Sequence, residues 1–224
     1  MPKAQGGLIE HMKIVEKYIQ GLRKAYCEFN CKEVWEHFDN IKHGATKEDL
    51  QKIKDEFPLV PDSLLQLLEY VDGTYRREYK GENVSFYLLG SDVEEYPYYL
   101  FSCSQILESK NAASATPLAD YINKHFSPSD IKIDDKITSN AQSAKWLNFS
   151  DCMNNGGTSS LYIDFTPSAS GTTGQVVRYL HDPDSIIVIA NSFDHYLEML
   201  ISNNYEFINE ETASDLSLFD LEEY

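Results

Sequence analysis

The sequence is poor in basic residues. It has 19 Lys and Arg against 36 Asp and Glu, a formal net charge of −17 over 224 residues. Such a chain repels nucleic-acid phosphates and anionic lipid, which argues against direct binding to either. Attraction to a basic partner and plain solubility are the two readings that remain. Cysteine is also scarce, with Cys27, Cys31, Cys103 and Cys152 only. Four thiols are too few to staple a chain of this length, so reduced cysteines in a cytoplasmic protein are the expectation. Cys27 and Cys31 stand four apart in a helical pattern, half of a metal site with no second ligand pair near them in sequence. No run approaches the ~20 apolar residues that cross a bilayer. The start, Met-Pro-Lys-Ala-Gln-Gly-Gly, lacks the basic-then-apolar pattern of a signal peptide. Without secretion, the glycosylation patterns at Asn83-Val84-Ser85 and Asn148-Phe149-Ser150 carry no meaning.

The residues that are present argue for a folded chain. Hydrophobic residues make up 42%, enough for a sizeable core in one domain, with room for an appendage. The 15 tyrosines and 11 phenylalanines suit strands and contact surfaces alike.

The first third is helical by period. Leu8, Met12, Val15, Ile19, Leu22 and Tyr26 fall on one face at steps of three or four, predicting a helix over 8–29. Val34, Trp35, Phe38 and Ile41 predict a shorter second helix, with Trp35 as a core anchor. Thr46, with Asp49 three residues on, opens a third as a weakened capping box. Pro58 and Pro61 end that helix; Asp62 or Ser63 is placed to cap a fourth, packed by Leu64, Leu65, Leu67, Leu68 and Val71. Asp72-Gly73 stops it.

Residues 83–89 and 98–101 read as strands, 104–109 as a short helix, and 117–126 as another helix opened by Pro117. Residues 127–144 are polar and read as a surface loop or insertion. Residues 146–200 then alternate short apolar runs with turn formers and close on an amphipathic helix, the pattern of an antiparallel meander with a docking helix. Trp146 reads as a core tryptophan at the start of the sheet. Pro167 ends a strand because it has no N–H for the ladder, and Gly171 and Gly174 allow the return. Asp164 stands where the alternation leaves open whether it faces solvent or turns inward to hold the loop. The apolar run 186–189 predicts a central strand covered on both faces. Ser192 caps the last helix, which Phe193, Tyr196, Leu197 and Leu200 pack. The end, from Glu210, has six acidic residues and no basic ones.

The residues carry no catalytic constellation. The six histidines (His11, His37, His43, His125, His181 and His195) are scattered and form no His-x-x-x-His or His-Glu-x-x-His pattern. His181 beside Asp182 and Asp184 reads as a solvated turn rather than a metal site. Gly156-Gly157-Thr158-Ser159-Ser160 lacks the Lys and the succeeding helix of a phosphate loop. Asp151-Cys152 has no basic residue near in sequence to activate the thiol. No metal and no cofactor are expected.

Four pieces, in order, resemble the SUKH superfamily, the Smi/Knr group. They are Ala45-Thr46-Lys47-Glu48-Asp49-Leu50 through Phe57; Val60-Pro61-Asp62-Ser63-Leu64 to Asp72-Gly73; Trp146-Leu147-Asn148-Phe149 with Asp151, Gly156 and Gly157; and Ile163-Asp164-Phe165-Thr166-Pro167 with Gly171 to Val177 and Ala190 to Leu197. The resemblance covers residues 45–200. It makes Trp146, Asp164, Pro167, Gly171, Gly174, Gln175, Ser192 and Phe193 the structural signature.

The implied fold is α+β: a mostly antiparallel sheet of about five or six strands with helices packed chiefly on one face, plus an N-terminal helical extension. The expected division is 1–42 for that extension, 43–208 for the SUKH-like domain and 209–224 for an acidic tail. The resemblance implies a protein-binding module, first of all a bacterial immunity protein that blocks a cognate toxin domain without chemistry of its own. A regulatory scaffold in cell-wall synthesis or signalling is the second reading, and an enzyme or small-ligand protein the third. Acidic and aromatic loop positions are the candidate contacts: Asp92, Glu94, Glu95, Tyr96, Tyr98, Asp151, Asp182 and Asp184.

Overall fold

The computed structural model describes residues 13–93, 96–111, 132–138, 144–152, 159–180 and 185–213. Helix α1 (Ile14–Glu28) buries Val15, Leu22 and Tyr26 of the predicted stripe together with Tyr18 and Ala25, leaves Ile19 half-buried, and ends where Asn30 turns left-handed; Leu8 and Met12 lie outside the described residues. Helix α2 (Lys32–Ile41) buries Trp35, Phe38 and Ile41. The Phe38 ring stacks on Phe86 with centroids 4.2 Å apart, while Trp35 meets Phe86 edge-on at 5.7 Å. Each such ring contributes about 1.5–3 kcal/mol by leaving water, so this aromatic cluster is what binds the first two helices to the rest.

Helix α3 (Lys47–Glu56) is capped as its sequence predicts. The Thr46 hydroxyl accepts the Asp49 N–H at 3.1 Å and donates to the Asp49 carboxylate at 2.7 Å. Helix α4 (Asp62–Tyr70) differs in detail, because Pro61 occupies the cap position and Asp62 is already helical. Asp62 therefore acts on the helix dipole from the first turn instead of capping, and the buried Ser63 hydroxyl makes no hydrogen bond.

Next comes a hairpin that the sequence pattern does not announce. Strands β1 (Arg77–Tyr79) and β2 (Glu82–Val84) pair around Lys80 and Gly81, both with positive φ, the backbone of a type I′ turn. Lys at the first turn position hides the usual Asn-Gly signal. Of the predicted strand 83–89, only its start is in β2. Residues 86–90 instead run through the core as extended chain, joined to the next element by a Leu89–Tyr98 bridge. Their carbonyls are held by side chains: Tyr26 donates to Tyr87, Tyr18 to Leu88 and Tyr196 to Gly90, each at 2.7 Å.

The main sheet adds β3 (Tyr99–Leu100), β4 (Lys132–Ile133), β5 (Trp146–Cys152), β6 (Ser159–Asp164), β7 (Gln175–Leu180) and β8 (Ser185–Ala190), in the order β3-β5-β6-β7-β8-β4. All neighbours are antiparallel except β4 and β8. Helices α5 (Cys103–Asn111) and α6 (Phe193–Ser202) lie on one face with α1, α4 and the principal core. The architecture is thus the expected α+β layer, a six-stranded mostly antiparallel sheet with helices packed against it.

Two expectations change. The 127–144 stretch, read as loop, contributes strand β4, whose pairing to β8 is invisible in such a polar segment. Strand β8 is next to the edge instead of central. Two-residue β4 reaches only Ser185 and Ile186, so Ile187 to Ala190 stay half-buried. The other face of the sheet carries a second apolar cluster of Trp146, Tyr162, Val177 and Ile186 with Ile137 from the segment after β4. The predicted helix at 117–126 lies outside the described residues.

Beyond α6, residues Tyr205, Phe207, Ile208 and Ala213 are buried. Tyr205 stacks 5.4 Å from Tyr18 and donates to its carbonyl at 2.9 Å. The Cys31 thiol points to the Ala213 carbonyl at 3.7 Å. The first helices and the segment after α6 therefore pack on each other.

Candidate interaction surface

The sheet has two chemically different ends. At one, β5 and β8 are joined to the loop after β6 and to the segment after β4, and most of the signature residues gather there. Asp164 is fully buried and turns inward. Its carboxylate accepts the Thr166 N–H at 2.8 Å and the Gln175 side-chain N–H at 3.0 Å. Burial pushes the Asp164 carboxyl above the ordinary carboxylate range, although these donors and the Trp146 indole oppose it. Trp146 faces Asp164 across the ladder and stacks near Tyr162 at 5.3 Å, but its buried indole N–H reaches no hydrogen-bond geometry.

Gln175 continues the chain of bonds. Its amide accepts the Thr172 N–H and donates to the Lys136 carbonyl, which also takes the Ser168 N–H. Gly171 passes so close that a side chain would meet the Lys136 carbonyl and Pro167, while Gly174 has φ +88 and donates to the Asp164 carbonyl. The signature loop thus clamps the segment after β4 to the sheet. Ser192 caps α6 by accepting the His195 N–H at 3.2 Å, and Phe193 is fully buried against Phe149.

The Asp72-Gly73 step has a comparable role. Asp72 accepts the Cys103 N–H at 2.9 Å, which caps α5 from a distance, and pairs with Arg77 at 2.8 Å.

The other end is where β5 and β7 finish and β3, β6, β8 and β4 begin. Asp92, Tyr96 and Asp151 stand here. Arg178 of β7, buried in the sheet, gives Asp92 a two-pronged ion pair, with its Nη2 at 3.0 Å, and turns Nη1 to Ser185 at 3.4 Å. Tyr96 is half-buried. Tyr98, expected on a contact loop, is instead core: it is fully buried at its bridge to Leu89 and its hydroxyl has no hydrogen bond. Asp151 is half-buried, level with Tyr99 on one side and Ser160 on the other. Glu94, Glu95, Asp182 and Asp184 lie outside the described residues.

The sequence pattern of the SMI1 / KNR4 family (SUKH-1) matches residues 44–199. The chain belongs to this family. No curated protein matches it. SUKH-1 members are typically immunity proteins or Smi1-like regulators. Helices α1 and α2 and the segment 203–213 fall outside the matched residues, and it is these that pack together through Tyr18, Cys31 and Tyr205.

Charge is divided unevenly along this SUKH-1 chain. Residues 1–91 hold 13 basic and 15 acidic side chains, a net of −2; residues 92–224 hold 6 and 21, a net of −15. Nearly all the excess acid travels with the sheet and the C-terminal third of the chain. Two of the thiols, Cys31 and Cys103, are poor nucleophiles. Burial, then the neighbouring Asp72, pushes Cys103 up to about 12, and burial raises Cys31. Among the described residues no three His, Cys, Asp or Glu side chains group to hold a metal ion, and no helix is long and apolar enough to cross a membrane.

Sequence reasoning missed Arg178. The signal was present: it is the only arginine after residue 77 and sits in an apolar strand, Val-Val-Arg-Tyr-Leu. A cation there requires a buried partner.

Proposed function

We propose that this protein is a non-catalytic binding module of the immunity type, which neutralises a cognate polymorphic-toxin domain in the cytoplasm by occluding it. One observation supports the reading within the family: the acids Asp92 and Asp151 stand at the same end of the sheet. A net of −15 over residues 92–224 gives the chain a field that draws in a basic surface, as a nuclease-type toxin domain carries, and speeds docking.

The test is co-expression with the product of the adjacent gene. The reading expects growth arrest by that product alone, rescue when this chain is present, and a co-purifying complex whose association slows as salt is added. A neighbour that is harmless, together with no basic protein co-purifying, overturns it.

A further inference from the structure

Asp151 is anomalous among the acids of this chain. It lies on β5, level with Tyr99 of β3 and Ser160 of β6. Its one hydrogen bond is local, with Oδ1 accepting the Cys152 N–H at 2.8 Å. It has no ion pair among the described residues, whereas Asp92 and Asp72, the other partly sheltered acids near it in the fold, each hold an arginine. Burial pushes its carboxyl above the ordinary carboxylate range, while the Cys152 N–H and, more weakly, the charge of Arg76 oppose that. A carboxylate stripped of part of its water and given no counter-ion is a standing electrostatic cost.

Aromatic rings flank it. Tyr99 lies 4.8 Å from Tyr87 and 5.1 Å from Tyr75, and Tyr75 is 6.0 Å from Phe101. The exposed Arg76 lays its guanidinium 5.2 Å from the Tyr75 ring. Thus a cation already rests on this aromatic wall without closing on Asp151. The half-buried Tyr75, packed on the buried Tyr99, beside a partly desolvated acid with no ion pair among the described residues has the composition of an interface hot spot.

We propose that Asp151 is the receptor for a lysine or arginine side chain of a basic partner protein, which enters along the half-buried Tyr75 and pairs with the carboxylate. The inference rests on the binding-module reading and names the site within it. The net charge of −15 in residues 92–224 supplies the complementarity. Asp92 is the weaker candidate because Arg178 already occupies it.

The test uses the full chain and a labelled oligo-arginine peptide, with binding followed by fluorescence anisotropy at physiological salt. Asp151→Asn keeps the acceptor for the Cys152 N–H and removes the charge; it should weaken binding by about tenfold or more. Asp194→Asn, the same charge change on the exposed first turn of α6, should leave affinity within about twofold. Equal weakening by both, or no binding by the native chain, overturns the proposal. Arg76→Gln provides a readout of opposite sign. It frees the aromatic wall and should tighten binding more than Lys32→Gln on distant α2, and an equal effect of the two also overturns the proposal. If Asp151→Asn does not fold, as judged by near-ultraviolet circular dichroism, the Arg76 and Lys32 pair decides. The outcomes separate from those of the parent reading. Growth rescue without an Asp151 effect removes the receptor alone, whereas no rescue removes the immunity reading whatever the peptide does.

Discussion

The Asp92–Arg178 pair predicts an asymmetric response to mutation. Arg178 is buried at 6% side-chain exposure, while Asp92 is 34% exposed. Removing the acid strands a guanidinium in the sheet with, among the described residues, only the Ser185 hydroxyl as a hydrogen-bond partner. Breaking a fully buried pair from one side costs about 3–5 kcal/mol. Because Asp92 sits at the surface and water can take its place, the expected cost of Asp92→Ala is nearer ~2–3 kcal/mol. Arg178→Met removes the buried charge, keeps the apolar stem in its packing and leaves Asp92 to turn towards water, so about 1 kcal/mol or less is expected. The double variant should match Arg178→Met within ~0.5 kcal/mol, since no stranded charge remains. Urea unfolding of the four proteins reads this directly, as a shift of midpoint at constant slope. If Asp92→Ala costs no more than Arg178→Met, Arg178 is not dependent on this carboxylate and the reasoning fails. The result also governs functional work, because an Asp92 variant that loses partner binding while losing stability says little about contact.

The packing yields three further predictions. Asp164→Ala should cost about 2–4 kcal/mol, since it leaves the Thr166 N–H and part of the Gln175 amide without an acceptor, and it should loosen the segment after β4, seen as faster amide exchange at Ile137; a loss below ~0.5 kcal/mol rejects that role. Because burial raises the Asp164 carboxyl in the fold, its stabilisation is complete below the unfolded-state value of about 3.9 and is lost as pH rises through the folded-state value. The stability of the native chain relative to Asp164→Asn should therefore be greatest in acid and decline upward, and a gap that widens with pH contradicts this. Gly21→Ala in α1 should destabilise despite the better helix propensity of alanine, because the new methyl would lie 2.0 Å from the Tyr205 hydroxyl; a gain in thermal midpoint would mean that Tyr205 does not pack there.

How much is legible in the chain depends on the range of each interaction. The Thr46 and Ser192 caps act over three residues, and both stand in the fold as the sequence predicts. The stop at Asp72-Gly73 and the return between β6 and β7 are legible because proline and glycine restrict or free the backbone on the spot. The inward turn of Asp164 is not, since alternation alone does not say whether donors wait inside. Strand β1 escapes because Lys80-Gly81 is an unusual hairpin turn, and Tyr98 is misplaced because one tyrosine in a Tyr-rich stretch looks like another.

The sequence by itself determined the helical stripes, the caps, the meander and family membership, because each depends on neighbours a few residues apart. Only the tertiary structure decided the partners. Arg178 finds Asp92 86 positions away, and Tyr18, Tyr26 and Tyr196 find the carbonyls of 86–90 across 61 to 106 positions. It also decided that β4 pairs with β8 and that Asp151 holds no ion pair among the described residues. Which polar groups meet, and which remain unpaired, depends on how the layers close; that is settled by packing over the whole chain.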